Sequence, residues 1–210
     1  MNPDIQQKKS DNPVFNRLTT IELAGIVLAG GMSTRMGQDK ASLSWQGSDL
    51  LNTVLARLAP VCSELIVVSN VARNIILPNV KVVADKYIKC GPLAGMQAGI
   101  RASHCDYNFI AACDMPYLNT NAVAYIGEAA VGYDAAVPFF EGYFNPLHGV
   151  YRRTCLSHIE ILLKEGNYSV LNFYNEINLR RITAEELKIF DPELKTFINI
   201  NTPEDFQQEM

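Results

Sequence analysis

The sequence predicts an α/β domain with a largely parallel sheet that helices cover on both faces. Short apolar runs recur along the chain, and segments with helical periodicity separate them. The runs are mainly apolar and do not alternate regularly with polar residues, which is typical of parallel strands buried on both faces. Alternation of strand and helix is the pattern expected of such a fold.

The elements are predicted in order from these patterns. Strands are predicted over residues 25–29, 64–69, 80–84, 108–112, 134–137 and 146–151. Helices are predicted over residues 50–58, 93–102, 121–130, 154–164 and 168–176. Asn119 is a candidate cap for the third helix. An extended piece is predicted to open at Phe197 and Ile198, and a terminal helix to start after Thr202.

The domain organisation is predicted to be simple. Residues 21–210 are predicted to form one domain, since no linker or internal repeat divides them. Residues 1–20 are polar and lack the apolar core of a signal peptide, so they are predicted to be a mostly disordered extension.

A loop rich in glycine and basic residues follows the first predicted strand. Gly30 and Gly31 come directly after the strand, and Arg35, Gly37 and Lys40 follow within about ten residues. Glycines let backbone amides approach an anion, and the two cations can neutralise its charge. The spacing matches neither a P-loop nor a dinucleotide fingerprint. A flexible turn with solvated cations is the alternative, but the combination favours a phosphate-binding loop.

Two carboxylates follow later predicted strands. Asp114 comes after residues 108–112 and precedes a proline-bearing turn, and Asp85 comes after residues 80–84. Ligands of open α/β sheets bind beyond the carboxyl ends of the strands, so these groups and the glycine loop should share one edge. A turn or helix cap is the alternative for Asp114 alone. Because the glycine loop is expected at the same edge, a role for Asp114 in holding Mg²⁺ against substrate phosphates is the better interpretation.

Glycines and asparagines elsewhere are further candidates for ligand contacts. Gly91 and Gly95 lie at the start of a predicted helix, where glycines permit close approach of a ligand or of a neighbouring backbone. For Gly95, a pure packing role and a ligand role are equally good explanations. Asn199 and Asn201 lie on the same side of an extended piece and could read a heterocycle or a ribose. Capping of the terminal helix is the simpler explanation for Asn201, and both roles are compatible.

Composition narrows the functional classes. The net charge of −4 gives no support for broad nucleic-acid binding, and no apolar stretch approaches the ~20 residues that span a bilayer. The 5 cysteines and 3 histidines show no metal-ligand spacing. The odd, unclustered cysteine count also argues against a disulfide framework and suits a reducing cytoplasm.

The motifs together resemble one enzyme family. Residues 28–40 are similar to the nucleotidyltransferase signature L-A-G-G-x-S-x-R-M-G-x-D-K, which sugar-phosphate and isoprenoid-pathway enzymes share. Three more motifs are G-P-L-A-G-M at residues 91–96 after Asp85, C-D-M-P at 113–116 and N-I-N-T-P-E-D at 199–205. Their order and spacing resemble the molybdenum cofactor guanylyltransferases from residue 24 to about residue 206.

The resemblance implies a Rossmann-like, three-layer α/β/α fold and transfer of GMP from GTP to the phosphate of molybdenum-bound molybdopterin, with Mg²⁺ and release of pyrophosphate. It assigns nucleotide contacts to Leu28, Ala29, Gly30, Gly31, Lys40, Ser69 or Asn70, Asp85 and Asp114. Asp114 would also bind the metal, and it would form the catalytic set with Lys40 and Arg35. Gly91, Gly95, Asn199 and Asn201 would lie on the acceptor side. Molybdoenzyme maturation proteins are the partners implied.

One departure from the family pattern concerns the acceptor. Family members commonly have a basic pair where residues 166–171 here read Gly-Asn-Tyr-Ser-Val-Leu. If that pair holds the anionic pterin, this chain holds it differently or uses another substrate. The alternatives are therefore a transferase that uses CTP or a sugar-phosphate acceptor, and a non-catalytic GTP-binding protein.

Overall fold

The structure is a computed structural model that describes residues 21–30, 40–45, 47–87 and 90–200. The strands are β1 (Leu23–Leu28), β2 (Ser44–Trp45), β3 (Ser48–Asp49), β4 (Glu64–Val68), β5 (Val80–Val83), β6 (Tyr107–Ala112), β7 (Ala135–Phe140), β8 (Tyr143–Phe144), β9 (His148–Arg152) and β10 (Leu179–Ile182). The α-helices are α1 (Leu50–Leu58), α2 (Gly91–Ala102), α3 (Thr120–Ala129), α4 (Cys155–Lys164) and α5 (Ala184–Lys188).

A mostly parallel sheet lies at the centre of the fold. Within the described residues its order is β10-β7-β9-β6-β1-β4-β5, and β8 pairs with β7. Strand β1 runs parallel to both β4 and β6, and β5 runs parallel to β4. Strand β9 runs antiparallel between β6 and β7. The predicted α/β class with a largely parallel sheet is confirmed, and the reversed β9 is an addition to it.

Helices cover both faces of this sheet, so the predicted three layers are present. Adjacent residues of β1 point to opposite faces: Val27 packs in a core with α1, α3 and α5, and Ile26 in a core with α2 and α4. Both side chains are fully buried. Because successive side chains of a strand alternate between faces, a strand buried on both sides must be apolar throughout.

Side-chain caps fix where the helices begin. Asp49 accepts a hydrogen bond from the Asn52 amide at 2.7 Å at the start of α1. The side-chain oxygen of the predicted cap Asn119 accepts hydrogen bonds from the backbone amides of Asn121 and Ala122 at the start of α3. Each cap satisfies amides that would otherwise have no partner in the first helical turn.

Two predicted elements differ in detail. The helix predicted over residues 168–176 is a 3-10 helix, Val170–Glu176, and its spacing of three places Val170 and Phe173 together in the core. Phe197 ends a second 3-10 helix, Lys195–Phe197, so the extended piece starts at Ile198. The left-handed backbone of Leu194 (φ 52°) starts this tight turn, and the Phe197 amide closes it on the Leu194 carbonyl at 3.1 Å.

Some predictions concern residues outside the described part of the chain, and some observed elements were not predicted. Residues 1–20 and the terminal helix predicted after Thr202 lie outside the described residues. Strand β10 and helix α5 occupy a stretch to which the sequence patterns assigned no element. No disulfide joins the 5 cysteines, all of which are described. No described helix combines the length and apolar character needed to cross a membrane.

Candidate functional site

Four parallel strands end at one edge of the sheet, here called the carboxyl edge of β5, β4, β1 and β6. Leu28 of β1 lies opposite Val68 and Ala112, and Val68 lies opposite Val83. Backbone hydrogen bonds continue one residue past the strands: Ala29 bonds to Val68 at 2.9 Å, Ser69 to Val83 at 2.9 Å and Cys113 to Leu28 at 3.3 Å. The next residue along each strand is a candidate site residue: Gly30, Asn70, Asp85 and Asp114.

The edge has a fixed lateral order, with Asp85 at one side and Asp114 at the other. Strands β4 and β1 lie between them, and neighbouring strands are about 4.8 Å apart, so the two backbones are separated by roughly 14 Å. The two carboxylates therefore cannot share one small cation. A ligand that contacts both must extend across the ends of β4 and β1.

Asn70 and Asp85 are linked directly. The side-chain oxygen of Asn70 accepts the backbone amide of Asp85 at 2.9 Å. The Asp85 carboxylate accepts the amide of Tyr87 at 2.8 Å, which holds the side chain in a tight local turn. Partial burial raises the pKa of Asp85 above its ordinary value, and the hydrogen bond from Tyr87 opposes that shift.

Ser69 differs from its neighbour Asn70 in how its side chain is used. Ser69 is buried, and its hydroxyl donates to the Val71 carbonyl at 2.9 Å. The same oxygen accepts from the Val71 amide at 3.3 Å and from Nε of Arg73 at 2.9 Å. Asn70 is exposed at the edge. Of the two alternatives for a nucleotide contact, the geometry favours Asn70.

Arg73 is a residue at this edge that the sequence patterns did not single out. Its guanidinium bonds to Ser69 through Nε, and Nη2 donates to the carbonyl oxygen of Ala29. It lies in the irregular stretch between β4 and β5, where no motif marks it. A contact between residues 44 positions apart could not be read from local periodicity.

Asp114 lies in the turn after β6, with its side chain half-buried. The next residues, Met115 and Pro116, are buried and anchor that turn. The amide of Ile200 donates to the Asp114 carbonyl at 2.9 Å, which brings the exposed Asn199 to the same place. The structure thus joins two of the predicted motifs that are distant in sequence.

Ile200 itself is fully buried against Trp45 and Leu50. Trp45 follows the 3-10 helix Lys40–Ser42, and its ring packs edge-on against Tyr117 with centroids 5.6 Å apart. The chain segment after the glycine loop, the turn after Asp114 and the C-terminal segment are therefore packed together. No sequence pattern pointed to Trp45 as the residue that joins them.

The glycines of α2 have different environments. A Cβ on Gly95 would lie 3.1 Å from Leu28 Cδ2, so a glycine here lets the helix approach the end of β1 closely. Gly91 is exposed, has a left-handed backbone (φ 70°), and would meet nothing with an added Cβ. The packing explanation therefore applies to Gly95, while Gly91 opens the helix at the carboxyl edge, where helix N-termini attract anions.

Several predicted site residues cannot be placed. Gly31, Arg35 and Asn201 lie outside the described residues. The backbone of Lys40 begins a 3-10 helix whose next residue, Ala41, is buried beside α1, but its side chain is not described. Among the described residues, no group of three or more His, Cys, Asp or Glu side chains could hold a metal.

Comparison with known proteins identifies the family. The family model described as the MobA-like NTP transferase domain matches residues 25–179. The chain belongs to this family. It is 36% identical to the probable molybdenum cofactor guanylyltransferase of Methanosarcina mazei over 197 residues, covering 88% of both chains. It is 33% identical to the molybdenum cofactor guanylyltransferase of Desulfosudis oleivorans over 188 residues, covering 89% and 93%.

A solved structure supports the same assignment. Molybdopterin-guanine dinucleotide biosynthesis protein A from Archaeoglobus fulgidus superposes with a TM-score of 0.76 at 26% identity, covering 88% of this chain and 95% of that one. The predicted resemblance and the Rossmann-like fold are confirmed. Since the family consists of nucleotidyltransferases, the predicted enzyme class and its place in molybdenum cofactor biosynthesis are confirmed with it.

Proposed function

We propose that the protein transfers GMP from GTP to the phosphate of molybdenum-molybdopterin, forming molybdopterin guanine dinucleotide cofactor and pyrophosphate. One observation supports this most directly: Gly30 and Asp114 follow two neighbouring parallel strands and so lie at the same edge of the sheet. Gly30 begins the predicted phosphate-binding loop, so this position supports a donor site beside Asp114 in a chain whose relatives are named guanylyltransferases.

The donor nucleotide would lie across the ends of β1 and β4. Leu28, Ala29, Gly30 and Gly31 would contact it, and Asn70 and Asp85 would contact its base or ribose. The direct bond between Asn70 and the Asp85 amide supports treating those two as one wall of the site. Lys40 and Arg35 would hold the phosphates.

The described residues fit a Mg²⁺ ion that the substrates help to hold. Asp114 offers one half-buried carboxylate, and Asp85 is too distant to share a metal with it. Mg²⁺ is usually bound through one or two carboxylates, with phosphate oxygens and water as its other ligands. When bound, it would polarise the α-phosphate and neutralise part of the triphosphate charge.

The acceptor would lie on the other side of Asp114. The bond between Ile200 and Asp114 supports this, because it holds the backbone next to Asn199 against the turn that carries Asp114. Asn199 and Asn201 would read the pterin, and Gly91 would leave room at the start of α2. Gly95 would act there only by allowing α2 to approach β1.

The chemistry needs positioning and charge stabilisation more than proton transfer. An oxygen of the acceptor phosphate attacks the α-phosphorus of GTP, and the bond from that phosphorus to the bridging oxygen of pyrophosphate breaks. Because the acceptor phosphate is already ionised at neutral pH, no general base is required. Lys40 and Arg35 would offset the charge that develops on pyrophosphate.

A nucleotide-by-acceptor activity matrix tests this function. Purified protein would be incubated with GTP, CTP, ATP or UTP, with molybdopterin or a sugar phosphate, with and without Mg²⁺, and pyrophosphate release would be measured. We expect release only with GTP, molybdopterin and Mg²⁺ together. Activity with CTP or with a sugar phosphate would identify the related transferases instead. GTP binding without release under any condition would indicate a non-catalytic protein.

The cellular setting follows from the same proposal. The protein would work in the cytoplasm, whose reducing conditions suit 5 scattered cysteines. Molybdoenzyme maturation proteins would supply the acceptor or receive the product. Co-purification of product with such a partner would test this second point.

A further inference from the structure

Arg73 joins the ends of two strands at the carboxyl edge. Its Nε donates to the Ser69 hydroxyl at 2.9 Å, and its Nη2 donates to the Ala29 carbonyl. Ser69 follows β4 and Ala29 follows β1, and these strands are neighbours. One guanidinium thus binds both segments immediately before Gly30 and Asn70.

The position of the guanidinium is fixed from both sides. Ser69 is buried, and its hydroxyl donates to Val71, which leaves its oxygen lone pairs to accept from Arg73. The Ala29 amide is held by Val68 at 2.9 Å, so Ala29, whose carbonyl Arg73 binds, is still fixed to the neighbouring strand. Arginine presents its donors in a rigid planar fork, which suits two acceptors at a fixed separation.

We propose that Arg73 is a positioning residue for the donor nucleotide. By holding the Ala29 carbonyl and the Ser69 hydroxyl together, it sets the distance between the Leu28–Gly30 wall and the Asn70 wall of the site. This inference rests on the proposed function, because it takes those walls to be the nucleotide contacts. Both acceptors of Arg73 lie at the ends of β4 and β1, whereas Asp114, where the acceptor side begins, follows β6.

The two ends of the sheet provide a matched control. Arg152 lies at the opposite edge, where it pairs with Tyr107 at the start of β6 and its Nε donates to Asp106 at 2.7 Å. It is likewise an arginine bonded to a neighbouring strand segment, but it is far from the carboxyl edge. Replacing it tests whether loss of any such arginine weakens nucleotide binding.

The variants Arg73→Met, Arg73→Lys and Arg152→Ala would be compared with wild type. GTP affinity would be measured by calorimetry with Mg²⁺ and without acceptor, followed by KM for GTP, KM for molybdopterin and the melting temperature. In Arg73→Met we expect GTP affinity about ten-fold weaker or more, with KM for molybdopterin changed by less than about two-fold. Arg73→Lys keeps the charge but cannot bridge both acceptors, so it should recover less than half of that loss on a logarithmic scale. Arg152→Ala should bind GTP as wild type does.

Three outcomes would overturn the assignment. GTP affinity in Arg73→Met within about two-fold of wild type would show that the bridge is irrelevant to the donor. Full recovery in Arg73→Lys would mean that charge, and not the bridging geometry, is what matters. A lower melting temperature together with similar fold-changes in GTP affinity and in KM for molybdopterin would indicate a purely structural role.

Failure of the proposed function would look different. Wild-type protein that binds GTP but forms no dinucleotide would overturn the transfer reaction and leave the Arg73 result intact. Wild-type protein that binds no GTP would overturn both.

Discussion

The backbone amide of Ile200 donates a hydrogen bond to the carbonyl oxygen of Asp114 at 2.9 Å. Asp114 follows a central strand and Ile200 belongs to the C-terminal segment, so the contact joins two distant parts of the chain. It bonds backbone to backbone and does not involve the Asp114 carboxylate. The proposed metal ligand and the proposed pterin contact Asn199 are held in register by this bond.

The first prediction concerns the Asp114 carboxylate. Asp114→Asn should lower turnover on the order of 10²–10³-fold or more, because it removes the charge that would hold the metal against the phosphates. The fold should persist, since the Ile200 bond uses the backbone. Pyrophosphate release across a Mg²⁺ titration and a thermal melt measure the two effects.

Asp106→Asn is its matched control, because Asp106 lies at the other end of the same strand and binds Arg152. Its turnover should stay close to that of wild type. A near-normal rate for Asp114→Asn would remove the metal role from this residue.

The second prediction concerns Lys40. Lys40→Ala should lower kcat/KM by roughly 10²-fold, because a cation on the leaving pyrophosphate is lost while the site is otherwise intact. Steady-state kinetics with GTP varied would measure it. Lys164→Ala, at the exposed end of α4, is the control and should be silent. An unchanged kcat/KM would place Lys40 outside the phosphate site.

Local patterns were sufficient to predict the carboxyl edge. Strand β1 and residues 109–112 of β6 are continuous apolar runs, and Gly30 and Asp114 are candidates because they come soon after those runs stop. A parallel sheet then brings those ends together without further information. This is why the edge was predicted, although the binding roles of its residues are still predictions.

Contacts between distant segments could not be predicted in this way. Arg73 reaches Ala29 across 44 residues, and Ile200 packs on Trp45 from the far end of the chain. Such contacts depend on the folded topology and leave no periodic signal. Helix α5 is different: Thr183 and Glu186 form a capping box with its recognisable sequence spacing, which would have predicted its start.

The third prediction concerns Thr196, a fully buried residue just before the proposed pterin asparagine. Its hydroxyl oxygen accepts the Asn119 amide at 3.0 Å and lies 3.2 Å from Nε2 of His148. Its own amide donates to the Asp191 carboxylate at 2.7 Å. Thr196 thus fixes the C-terminal segment to α3, to β9 and to the loop after α5.

Thr196→Val should destabilise the protein and weaken acceptor binding. The loss of the hydroxyl leaves the half-buried Asn119 amide and the buried Nε2 of His148 without this partner, which costs about 1–3 kcal/mol. The melting temperature should fall by about 2–4 °C for each kcal/mol. KM for molybdopterin should rise while GTP affinity stays constant. Thr196→Ser keeps the hydroxyl and should restore the wild-type KM for molybdopterin. If Thr196→Val weakened GTP binding as much as acceptor binding, the link between Thr196 and the acceptor side would be wrong.

The fourth prediction concerns the pH dependence of stability through His148. The imidazole is fully buried between the rings of Phe109 and Phe197, with centroids 5.2 Å and 4.6 Å away. Thr196 binds its Nε2, while Nδ1 has no hydrogen-bond partner among the described residues. Burial lowers the pKa of His148 from 6.5 to about 3, because the charged form loses its hydration.

The sign of the effect follows from that direction. Between pH 6.5 and about 3 the unfolded histidine binds a proton that the folded one does not, so stability from this residue is lost as the pH falls. Its contribution should approach about 1.4 kcal/mol per pH unit below pH 6. Urea unfolding between pH 7 and pH 4.5 would measure this. Over that range the free energy of unfolding should fall by about 2–3 kcal/mol less in His148→Gln than in wild type.

His104→Gln is the control for this series, because the His104 side chain is 85% exposed. Its stability should follow the wild-type pH dependence. Parallel curves for wild type and His148→Gln would show that His148 is not held neutral in the fold. A curve that flattens only for His148→Gln would confirm that His148 is held uncharged in the fold, where it contacts Thr196.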